Sequence, residues 1–399
     1  MAAAMLRVLT LSTLFPNAGQ PTLGVFVERQ TLDLAARPGV EVEVVAPVGL
    51  PLWPFSLHPH YSPRSRLPAE EEWKGLKLHR PRFPVVPVVR EAGAARALAR
   101  SLLPLLRSIR KRFQFDVIDC EFFWPDAPAA MALARALGVP FSAKARGADV
   151  NYWGDRPGIA SQIAEAGQAA GGLLAVSEAT RERMIALGMP GERIRVHHTG
   201  VDLDLFRPLD RAATKAALGL FGPTIVTAGA LIPRKGQTLA IEALALLPGA
   251  ELVLIGEGPD RAGLDALARS SGVADRVRFT GALAHEDLPL WLAAADVALQ
   301  PSSSEGLANV WVEALACGTP VVTTEVGGAR EAIDRPEAGR IVAREAGALA
   351  AAIRDLLAEP PEPDRVRAAA TRFSWERNAA ELHEHLAGIV KEARSSRAA

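Results

Sequence analysis

Two glutamates, Glu305 and Glu313, are the residues whose type and spacing most clearly suggest chemistry. A carboxylate only accepts hydrogen bonds, so each one can hold a pair of donating sugar hydroxyl groups. Gly306 and the N–H groups at the start of a predicted helix lie between the two carboxylates, and such groups bind phosphate. This order of groups matches a ligand that contains a sugar, a diphosphate and a ribose.

The same two glutamates also have a purely structural interpretation. Glu305 would be a favourable charge near a helix N-terminus, and Glu313 a solvated helix position. Taken alone, the pair favours this interpretation, since short motifs recur by chance. The residues around the pair must decide between the two.

A second candidate group lies in residues 229–236, where Gly229 follows a predicted buried strand and Arg234 and Lys235 come next in the loop. Two cations at the end of a strand can hold a diphosphate. The alternative is ordinary surface charge. The segment is not a P-loop, because the Gly-Lys-Ser/Thr sequence is missing. A further glycine pair at 256–258 resembles half of a dinucleotide fingerprint, but Pro259 breaks its spacing.

A third group belongs to the first half of the chain. Arg146 and Asp149 follow a predicted strand over 141–145, at a sheet edge where substrates bind. The alternative for these two residues is a local ion pair. Asn17 lies in the loop after the first predicted strand. We take Asn17, Arg146 and Asp149 as candidate contacts for a substrate.

The chain offers weak candidates for a metal site. Asp202 and Asp204 lie in a short irregular segment, where a capping role is favoured. Two histidine pairs with alternate spacing have no further ligands nearby in sequence. These pairs are His58 with His60 and His383 with His385. No bound metal and no cofactor are therefore expected.

The elements that position these residues alternate between strands and helices on both sides of a break at 200–208. This alternation predicts an α/β chain with two Rossmann-like, doubly wound domains. We place the first domain at 1–204 and the second at 205–374. Residues 50–90 are rich in proline and are interpreted as an irregular insertion with one strand.

Composition narrows the class of protein. The chain has 399 residues, enough for two or three domains with ample core. Its formal net charge is zero, which does not favour nucleic acid as a partner. Cys120 and Cys317 are isolated, so no disulfide framework is expected. Without a signal peptide or a membrane-spanning run, we expect a soluble, cytoplasmic protein.

Residues 93–113 form a basic amphipathic stretch that Pro104 is expected to kink or split. One interpretation is peripheral contact with an anionic membrane, at the inner membrane surface. The other is an ordinary helix that covers the sheet while its arginines extend to water.

Taken together, these segments resemble the retaining family-four glycosyltransferases, whose GT-B fold has two Rossmann-like domains with a cleft between them. The resemblance covers nearly the whole chain and is strongest at 301–328, which contains both glutamates. The supporting segments are, in chain order, 15–16, 24–27, 200–208, 229–236, 256–259, 279–281 and 373–375. One such segment would be weak, but the ordered series favours the functional interpretation of the glutamate pair.

The resemblance implies a role for each matching residue. Glu305 would face the donor sugar, Glu313 would hold the ribose hydroxyls, and Lys235 would hold the diphosphate, so that Glu305 and Lys235 are the catalytic candidates. Gly24 would let the amino-terminal loop approach the donor closely. A helix over 375–395 would cross back onto the first domain. The remaining donor-binding candidates are Gly229, Arg234, Gly306, Leu307, Asn309 and Val310.

Two positions depart from the family pattern. Many members carry arginine directly after the first glycine of the phosphate loop, where this chain has Ala230, and Arg234 would supply the missing charge. Many also carry histidine at the position of Arg146, which changes a polar contact on the acceptor side.

The implied activity is retaining, metal-independent hexosyl transfer from a nucleotide diphosphosugar to a hydroxyl group of a glycan or lipid-linked acceptor. Surface polysaccharide or glycolipid synthesis is the expected context. Two alternatives stay open: a nucleotide-sugar epimerase or hydrolase of the same fold, and a non-catalytic protein that binds sugar nucleotides. The residues do not specify the base, the sugar or the acceptor.

Overall fold

The computed structural model describes residues 5–51, 55–58, 61–85 and 91–398. The chain divides into two compact units: residues 1–198 with 375–399, and residues 199–374. The division falls between His198 and Thr199 and not at 204/205, because the next residues pack in the second unit. There the Val201 N–H donates to the Phe373 carbonyl at 2.7 Å, and the Arg367 guanidinium donates to the Leu203 carbonyl at 2.7 Å.

The first unit is built on a large, almost wholly parallel sheet. The strands of this unit are β1 (Leu6–Leu11), β2 (Val40–Val45), β3 (Val48–Pro51), β4 (Glu70–Trp73), β5 (Leu76–His79), β6 (Arg82–Val85), β7 (Val117–Cys120), β8 (Phe141–Ala145), β9 (Gly172–Ala175) and β10 (Ile194–Val196). Their order in the main sheet is β10-β9-β8-β7-β1-β2-β5-β4, and β3 pairs separately with β6. Among the described pairings of the main sheet, β4 with β5 is antiparallel and the others are parallel.

Helices cover both faces of this sheet. The helices that precede the second unit are α1 (Val25–Ala35), α2 (Ser62–Ser65), α3 (Ala94–Arg112), α4 (Asp126–Leu137), α5 (Ala148–Asn151), α6 (Pro157–Ala169) and α7 (Glu178–Ala186). On one face, Leu98, Leu102 and Leu106 of α3 are fully buried in the core. The apolar side of α3 thus covers the sheet, as the structural interpretation of this helix predicted.

One expectation about this unit was wrong, and one of the two effects expected of Pro104 is excluded. The region 50–90 contains several strands and not one, because Leu76 and Leu78 of β5 are buried and extend the main sheet beside β2. Pro84 is tolerated because it lies in the separate two-stranded pair of β3 with β6, and strands outside a sheet interior need fewer N–H donors. Pro104 does not split the helix, since α3 runs continuously through that residue.

The second unit has a parallel sheet of its own. Its strands are β11 (Thr224–Ala228), β12 (Glu251–Ile255), β13 (Val277–Gly281), β14 (Val297–Gln300), β15 (Val321–Thr324) and β16 (Gly339–Val342), in the order β13-β12-β11-β14-β15-β16. Its helices are α8 (Arg211–Leu218), α9 (Gln237–Ala245), α10 (Arg261–Ser270), α11 (Leu288–Ala294), α12 (Asn309–Ala316), α13 (Ala329–Ala332), α14 (Ala346–Ala358) and α15 (Pro363–Ala368). The sequences of these strands are mostly apolar because helices cover both faces of such a sheet.

The order of strands reverses between β11 and β14, which lie side by side with Ile225 opposite Val297. In an open parallel sheet, the loops that leave the carboxyl ends of two such strands diverge and create a crevice. The loops in question are 229–236 and 301–308. The fold therefore points to the same two segments that carry Lys235 and Glu305.

The last helix, α16 (Trp375–Ala398), belongs to the first unit. Leu382 and Leu386 are buried there in one cluster with Leu34 of α1 and Val8 of β1. His385 of the same helix lies 2.9 Å from the Ser142 hydroxyl of β8. The alternation of strands and helices in both units confirms the predicted α/β class.

Candidate active site

The loops after β11 and β14 bring three predicted residues of the second unit together. The Lys235 Nζ atom lies 2.6 Å from Glu305 Oε1, and the Arg234 guanidinium lies 3.2 Å from Glu305 Oε2. The Glu305 side chain is 9% exposed, whereas that of Arg234 is 38% exposed. One carboxylate is thus held by two cations, and Arg234 still reaches water.

Hydrogen bonds fix the loop that carries Glu305. Arg234 donates to the Ser304 carbonyl at 2.5 Å, and Arg344 donates to the Pro301 carbonyl at 3.1 Å. From β15, the Thr324 hydroxyl donates to the Ser302 carbonyl at 2.5 Å. The loop backbone is therefore held from three directions, which limits the positions that Glu305 can adopt.

Two glycines allow the site loops to pack backbone against backbone. Gly236 has φ +75°, and a Cβ atom on it would lie 2.2 Å from the Pro301 carbonyl oxygen. Gly327 has φ +49°, and a Cβ atom there would lie 2.3 Å from the Gly306 carbonyl oxygen. Only glycine combines this conformation with such an approach. The adjacent Gly328 N–H donates to the same Gly306 carbonyl at 2.6 Å.

Helix α12 begins directly after this loop. The residue before it, Ala308, has no side chain that can accept from the first N–H groups of the helix. Leu307 and Ala308 are buried, whereas Asn309 and Val310 are half-buried. An anion near this end would meet N–H groups that no side chain caps. Gly229, in the neighbouring loop, donates its N–H to the Ile255 carbonyl at 2.9 Å.

Glu313 lies one turn further along α12 and has a partner that the sequence analysis did not identify. His285 Nε2 lies 3.0 Å from Glu313 Oε1. The Glu313 hydrogen bond raises the pKa of His285 above its ordinary value, against the opposing effect of burial. His285 follows β13 at the same sheet edge as the loops above, and this location was the signal available in the sequence.

The first unit contains a buried network of charged and polar residues at the carboxyl ends of β7 and β8. Arg146 forms an ion pair with Glu121, and its guanidinium lies 4.9 Å from the centre of the Phe26 ring. Lys144 donates to the Gln30 side chain at 2.6 Å. Gln30 in turn donates to Glu121 at 2.5 Å. The Arg146 side chain is 5% exposed, so it contacts protein and not bulk water.

Charge and burial act in opposite directions on this network. Burial favours a higher pKa for Glu121, but the charges of Arg146 and Lys144 outweigh it and hold the pKa below its ordinary value. Burial lowers the pKa of Lys144 well below its usual range. His197, whose Nδ1 lies 2.8 Å from Lys144 Nζ, has its pKa lowered mainly by burial. The sequence analysis missed Glu121, Lys144 and His197, although a lysine inside the predicted strand over 141–145 was a visible signal.

Asp149 is fully buried and binds backbone N–H groups. Its carboxylate accepts from Phe123 at 2.9 Å, from Arg146 at 2.9 Å and from Val150 at 3.1 Å. Burial raises its pKa to about 6. Because the Arg146 guanidinium pairs with Glu121, the alternative of a side-chain ion pair between Arg146 and Asp149 is not what the structure has.

The two remaining predicted residues of the first unit shape their loop. Asn17 is 5% exposed, and its Oδ1 accepts the Gly19 N–H at 3.0 Å. Gly24 precedes α1 in the left-handed conformation with φ 67°. A Cβ atom on it would lie 2.5 Å from the Leu14 carbonyl oxygen, so glycine is required by packing within the loop itself.

Among the described residues, no group of three or more histidine, cysteine, aspartate or glutamate side chains is arranged to hold a metal ion. Asp202 instead accepts the N–H groups of Asp204 at 3.1 Å and Leu205 at 3.0 Å, which confirms its capping role. His60 lies outside the described residues. Over the same part of the chain, every helix is too short or too polar to cross a membrane.

Comparisons with known proteins agree with this architecture. The model of Glycosyltransferase Family 4 matches residues 25–205, and the model of Glycosyl transferases group 1 matches residues 212–373. A GDP-mannose-dependent alpha-(1-6)-phosphatidylinositol monomannoside mannosyltransferase of Mycobacterium tuberculosis is 33% identical over 306 residues, which cover 70% of this chain and 79% of that protein.

Solved structures give the same fold at lower identity. Sucrose-phosphate synthase from Thermosynechococcus elongatus superposes with a TM-score of 0.76 at 20% identity, covering 95% of this chain and 98% of that one. HepE from Anabaena, solved in complex with UDP, gives a TM-score of 0.75 at 19% identity, covering 96% of this chain and 100% of that one.

Two Rossmann-like units with parallel sheets give the chain the GT-B fold, and the predicted fold class is confirmed. The chain belongs to the family-four glycosyltransferases, as its motifs indicated. Transfer of a sugar from a nucleotide sugar is the activity that this family membership supports.

Proposed function

We propose that the protein transfers a hexosyl group from a nucleotide diphosphosugar to an acceptor hydroxyl group with retention at the anomeric carbon, and without a bound metal ion. The observation that carries the proposal is the cluster of Lys235, Arg234 and Glu305 at the reversal of strand order in the second unit. A cluster of two cations and one carboxylate suits a ligand that combines a diphosphate with sugar hydroxyls.

The proposed roles follow from charge and hydrogen-bonding capacity. Lys235, Arg234 and the backbone N–H groups from Leu307 to Val310, at the start of α12, stabilise the negative charge that develops on the departing diphosphate. Gly306 and Gly229 keep the backbone close to it. Glu305 accepts hydroxyl groups of the transferred sugar, and Glu313 accepts those of the ribose.

The bond changes balance without an enzyme nucleophile. The bond between the anomeric carbon and the diphosphate oxygen breaks, and its electron pair leaves with the diphosphate. The acceptor oxygen bonds to the same carbon from the face that the diphosphate leaves. The acceptor proton passes to a diphosphate oxygen. The cations next to the leaving group lower the barrier because they interact more strongly with the transition state, in which the diphosphate gains negative charge, than with the bound donor.

On the acceptor side, we propose that Arg146, Asp149 and Asn17 act by fixing loops. Their polar side-chain atoms are engaged by Glu121, by backbone N–H groups and by Gly19, respectively. Gly24 similarly fixes the entry to α1. The acceptor is thus recognised by the shape that these loops share, and Arg146 contributes through its ion pair with Glu121.

For the donor and acceptor, the relative that uses GDP-mannose and a phosphatidylinositol mannoside is the guide. We propose a GDP-hexose donor and a lipid-linked acceptor at the cytoplasmic face of a membrane, in glycolipid or surface polysaccharide synthesis. The exposed side of α3 supports the membrane part, because Arg96, Arg100, Arg107 and Lys111 all project into solvent. Their spacing places them on one side of the helix.

The proposal is tested by incubating the protein with GDP-mannose, UDP-glucose or ADP-glucose, with and without phosphatidylinositol monomannoside and simple alkyl glycosides. Release of the nucleoside diphosphate only with an acceptor, and a product whose anomeric NMR signals match the donor configuration, would support a retaining transferase. Release of free sugar without an acceptor would indicate a hydrolase, and an isomerised nucleotide sugar an epimerase. Donor binding with no turnover on any acceptor would indicate a binding protein.

A further inference from the structure

His285 makes a specific contact with the carboxylate of Glu313. The imidazole Nε2 and Glu313 Oε1 are 3.0 Å apart. The imidazole also packs on Phe206, with ring centres 5.2 Å apart and planes inclined at 59°. The Phe206 side chain is fully buried and its carbonyl accepts from Arg367 at 2.7 Å. A rigid neighbour therefore holds the ring in the orientation that reaches Glu313.

The contact leaves most of the carboxylate able to accept other hydrogen bonds. An ionised carboxylate has about four lone-pair sites, and one donor on Oε1 occupies one of them. Oε2 and the remaining site on Oε1 suffice for two neighbouring hydroxyl groups. The Glu313 side chain is only 12% exposed, whereas the imidazole is 41% exposed. His285 thus orients the Glu313 carboxylate, which is largely shielded from bulk water.

We propose that His285 is a positioning residue for the nucleotide site: it fixes Glu313 so that the carboxylate accepts both ribose hydroxyls, and so sets the preference for ribose over 2′-deoxyribose. The proposal rests on the function proposed above, in which Glu313 holds the ribose. A glutamate has three rotatable side-chain bonds, and an unheld carboxylate loses entropy when it binds. With Oε1 held, this cost is removed before the nucleotide arrives.

The charges around His285 keep the donating proton on the ring. Glu313 lies in front of it, and Glu286 and Asp202 add negative charge from its own segment and from the segment before α8. The Glu313 hydrogen bond is the largest influence and raises the pKa of His285. The neutral Nε2–H tautomer and the imidazolium both donate from Nε2, so the positioning does not depend on which form is present.

The experiment is calorimetric titration of three nucleotide pairs: GDP with 2′-deoxy-GDP, UDP with 2′-deoxy-UDP, and ADP with 2′-deoxy-ADP. The full-length wild type is compared with His285→Ala, with His285→Gln, whose side-chain amide also donates, and with Glu325→Gln as the control, since the Glu325 side chain is 56% exposed and pairs with Arg330. For wild type we expect the tightest nucleotide to bind at least about 10-fold better than its 2′-deoxy form, because a hydrogen bond to a charged acceptor is lost.

In His285→Ala we expect weaker binding of the ribonucleotide, by about 10-fold, and a ribose preference that falls below about 3-fold. His285→Gln should recover most of the affinity and most of the ribose preference, and Glu325→Gln should keep both at wild-type values. A structural role alone would weaken both nucleotides of a pair equally, and that result would overturn the proposal. Tighter ribonucleotide binding by His285→Ala would also overturn it, since the imidazole would then compete with the ribose.

The outcomes separate this proposal from the one on which it rests. If no nucleoside diphosphate binds the wild type, the proposed function fails. If a ribonucleotide binds but its 2′-deoxy form binds equally well, the function stands and the role of His285 in ribose selection is refuted. Thermal unfolding of each variant shows whether an affinity change reflects loss of folded protein.

Discussion

The ammonium group of Lys235 lies 2.6 Å from the carboxylate of Glu305, although the two residues come from loops after different strands, β11 and β14. These strands flank the reversal of strand order in the second unit. Replacing Lys235 by alanine removes a cation from the proposed leaving group. We therefore expect Lys235→Ala to reduce kcat by roughly 100-fold or more, measured as acceptor-dependent release of nucleoside diphosphate.

A surface ion pair of the same unit provides the control for that measurement. Arg330 pairs with Glu325, and the two side chains are 77% and 56% exposed. Arg330→Ala should leave kcat within about 2-fold of wild type. The variant loses only an exposed ion pair, which contributes little to the stability of the fold, and Arg330 has no proposed role in catalysis. Equal activity of Lys235→Ala and Arg330→Ala would remove Lys235 from the mechanism.

Gly236 should be one of the least replaceable residues of the site loops. In Gly236→Ala the new Cβ atom meets the Pro301 carbonyl oxygen at 2.2 Å, in addition to the strain of φ +75°. We expect a loss of more than about 3 kcal/mol in the free energy of unfolding by urea. Gly249 has φ +78° but no atom lies within 4 Å of an added Cβ. Its alanine variant therefore measures the cost of the backbone conformation alone, without a steric clash.

Gly249→Ala should therefore cost only about 1 kcal/mol. If the two alanine variants were destabilised equally, the close approach of the loops 229–236 and 301–308 would not be a constraint on the fold.

Asp126 makes the stability of the first unit dependent on pH. Burial raises the pKa of this carboxyl to about 7, while its Oδ2 accepts the Thr13 N–H at 2.7 Å. The folded state then holds a proton that the unfolded state releases from about pH 4 upward. This contribution to stability is complete below the unfolded pKa and is lost as pH rises towards 7. Asp126→Asn should lack this contribution. When the free energy of unfolding is measured with urea and plotted against pH, the slope for the variant should therefore differ from that of wild type by up to about 1.4 kcal/mol per pH unit.

His385 provides a comparison of opposite sign. Burial lowers its pKa to about 4, so the folded state binds fewer protons than the unfolded state between about pH 4 and 6.5. The contribution of His385 to stability is lost as pH falls through this window, so it makes stability rise with rising pH. His385→Gln removes this rise, and the stability of the variant should therefore fall more steeply than that of wild type as pH rises. Stability curves for wild type and both variants that run parallel would contradict these assignments.

Helix α3 is expected to bring the protein to anionic membranes. Among the described residues, Arg96, Arg100, Arg107 and Lys111 are exposed and make no ion pair. Each such cation contributes about 1 kcal/mol near an anionic surface. In flotation with vesicles containing phosphatidylserine at low salt, wild type should float, and a variant with all four changed to glutamine should stay at the bottom.

A charge-matched variant should still float. In it, four exposed arginines outside α3 are changed to glutamine: Arg135, Arg330, Arg335 and Arg365. Flotation should decline with salt, because the attraction is screened beyond about 10 Å at 0.1 M. Failure of the wild type to float at low salt would end the membrane proposal.

The second unit could be predicted from the sequence because its signals are local. Apolar runs ending in glycine-rich loops give β11 and β14, and their carboxyl ends are where ligands bind in parallel sheets. This reasoning placed Lys235 and Glu305 at one sheet edge. It did not give the contact between them, which depends on the packing of Gly236 against Pro301.

The failures of prediction occurred where partners distant in sequence decide the structure. The strand β5 forms because β2 offers a pairing edge, with Glu43 opposite Lys77, and no pattern within residues 50–90 shows that. Arg146 was assigned from its position after a strand, but its guanidinium pairs with Glu121, which lies 25 positions away in the sequence. The pairing of His285 with Glu313 likewise joins residues that are 28 positions apart.

The most direct test of the central claim is calorimetric binding of GDP, UDP and ADP to wild type, Lys235→Ala, Glu313→Gln and Arg330→Ala. The account predicts that one nucleotide binds the wild type and Arg330→Ala equally, and that it binds Lys235→Ala and Glu313→Gln at least about 10-fold more weakly. Wild-type affinity in both of those variants would show that the nucleotide does not occupy the sheet edge that carries Lys235 and Glu313.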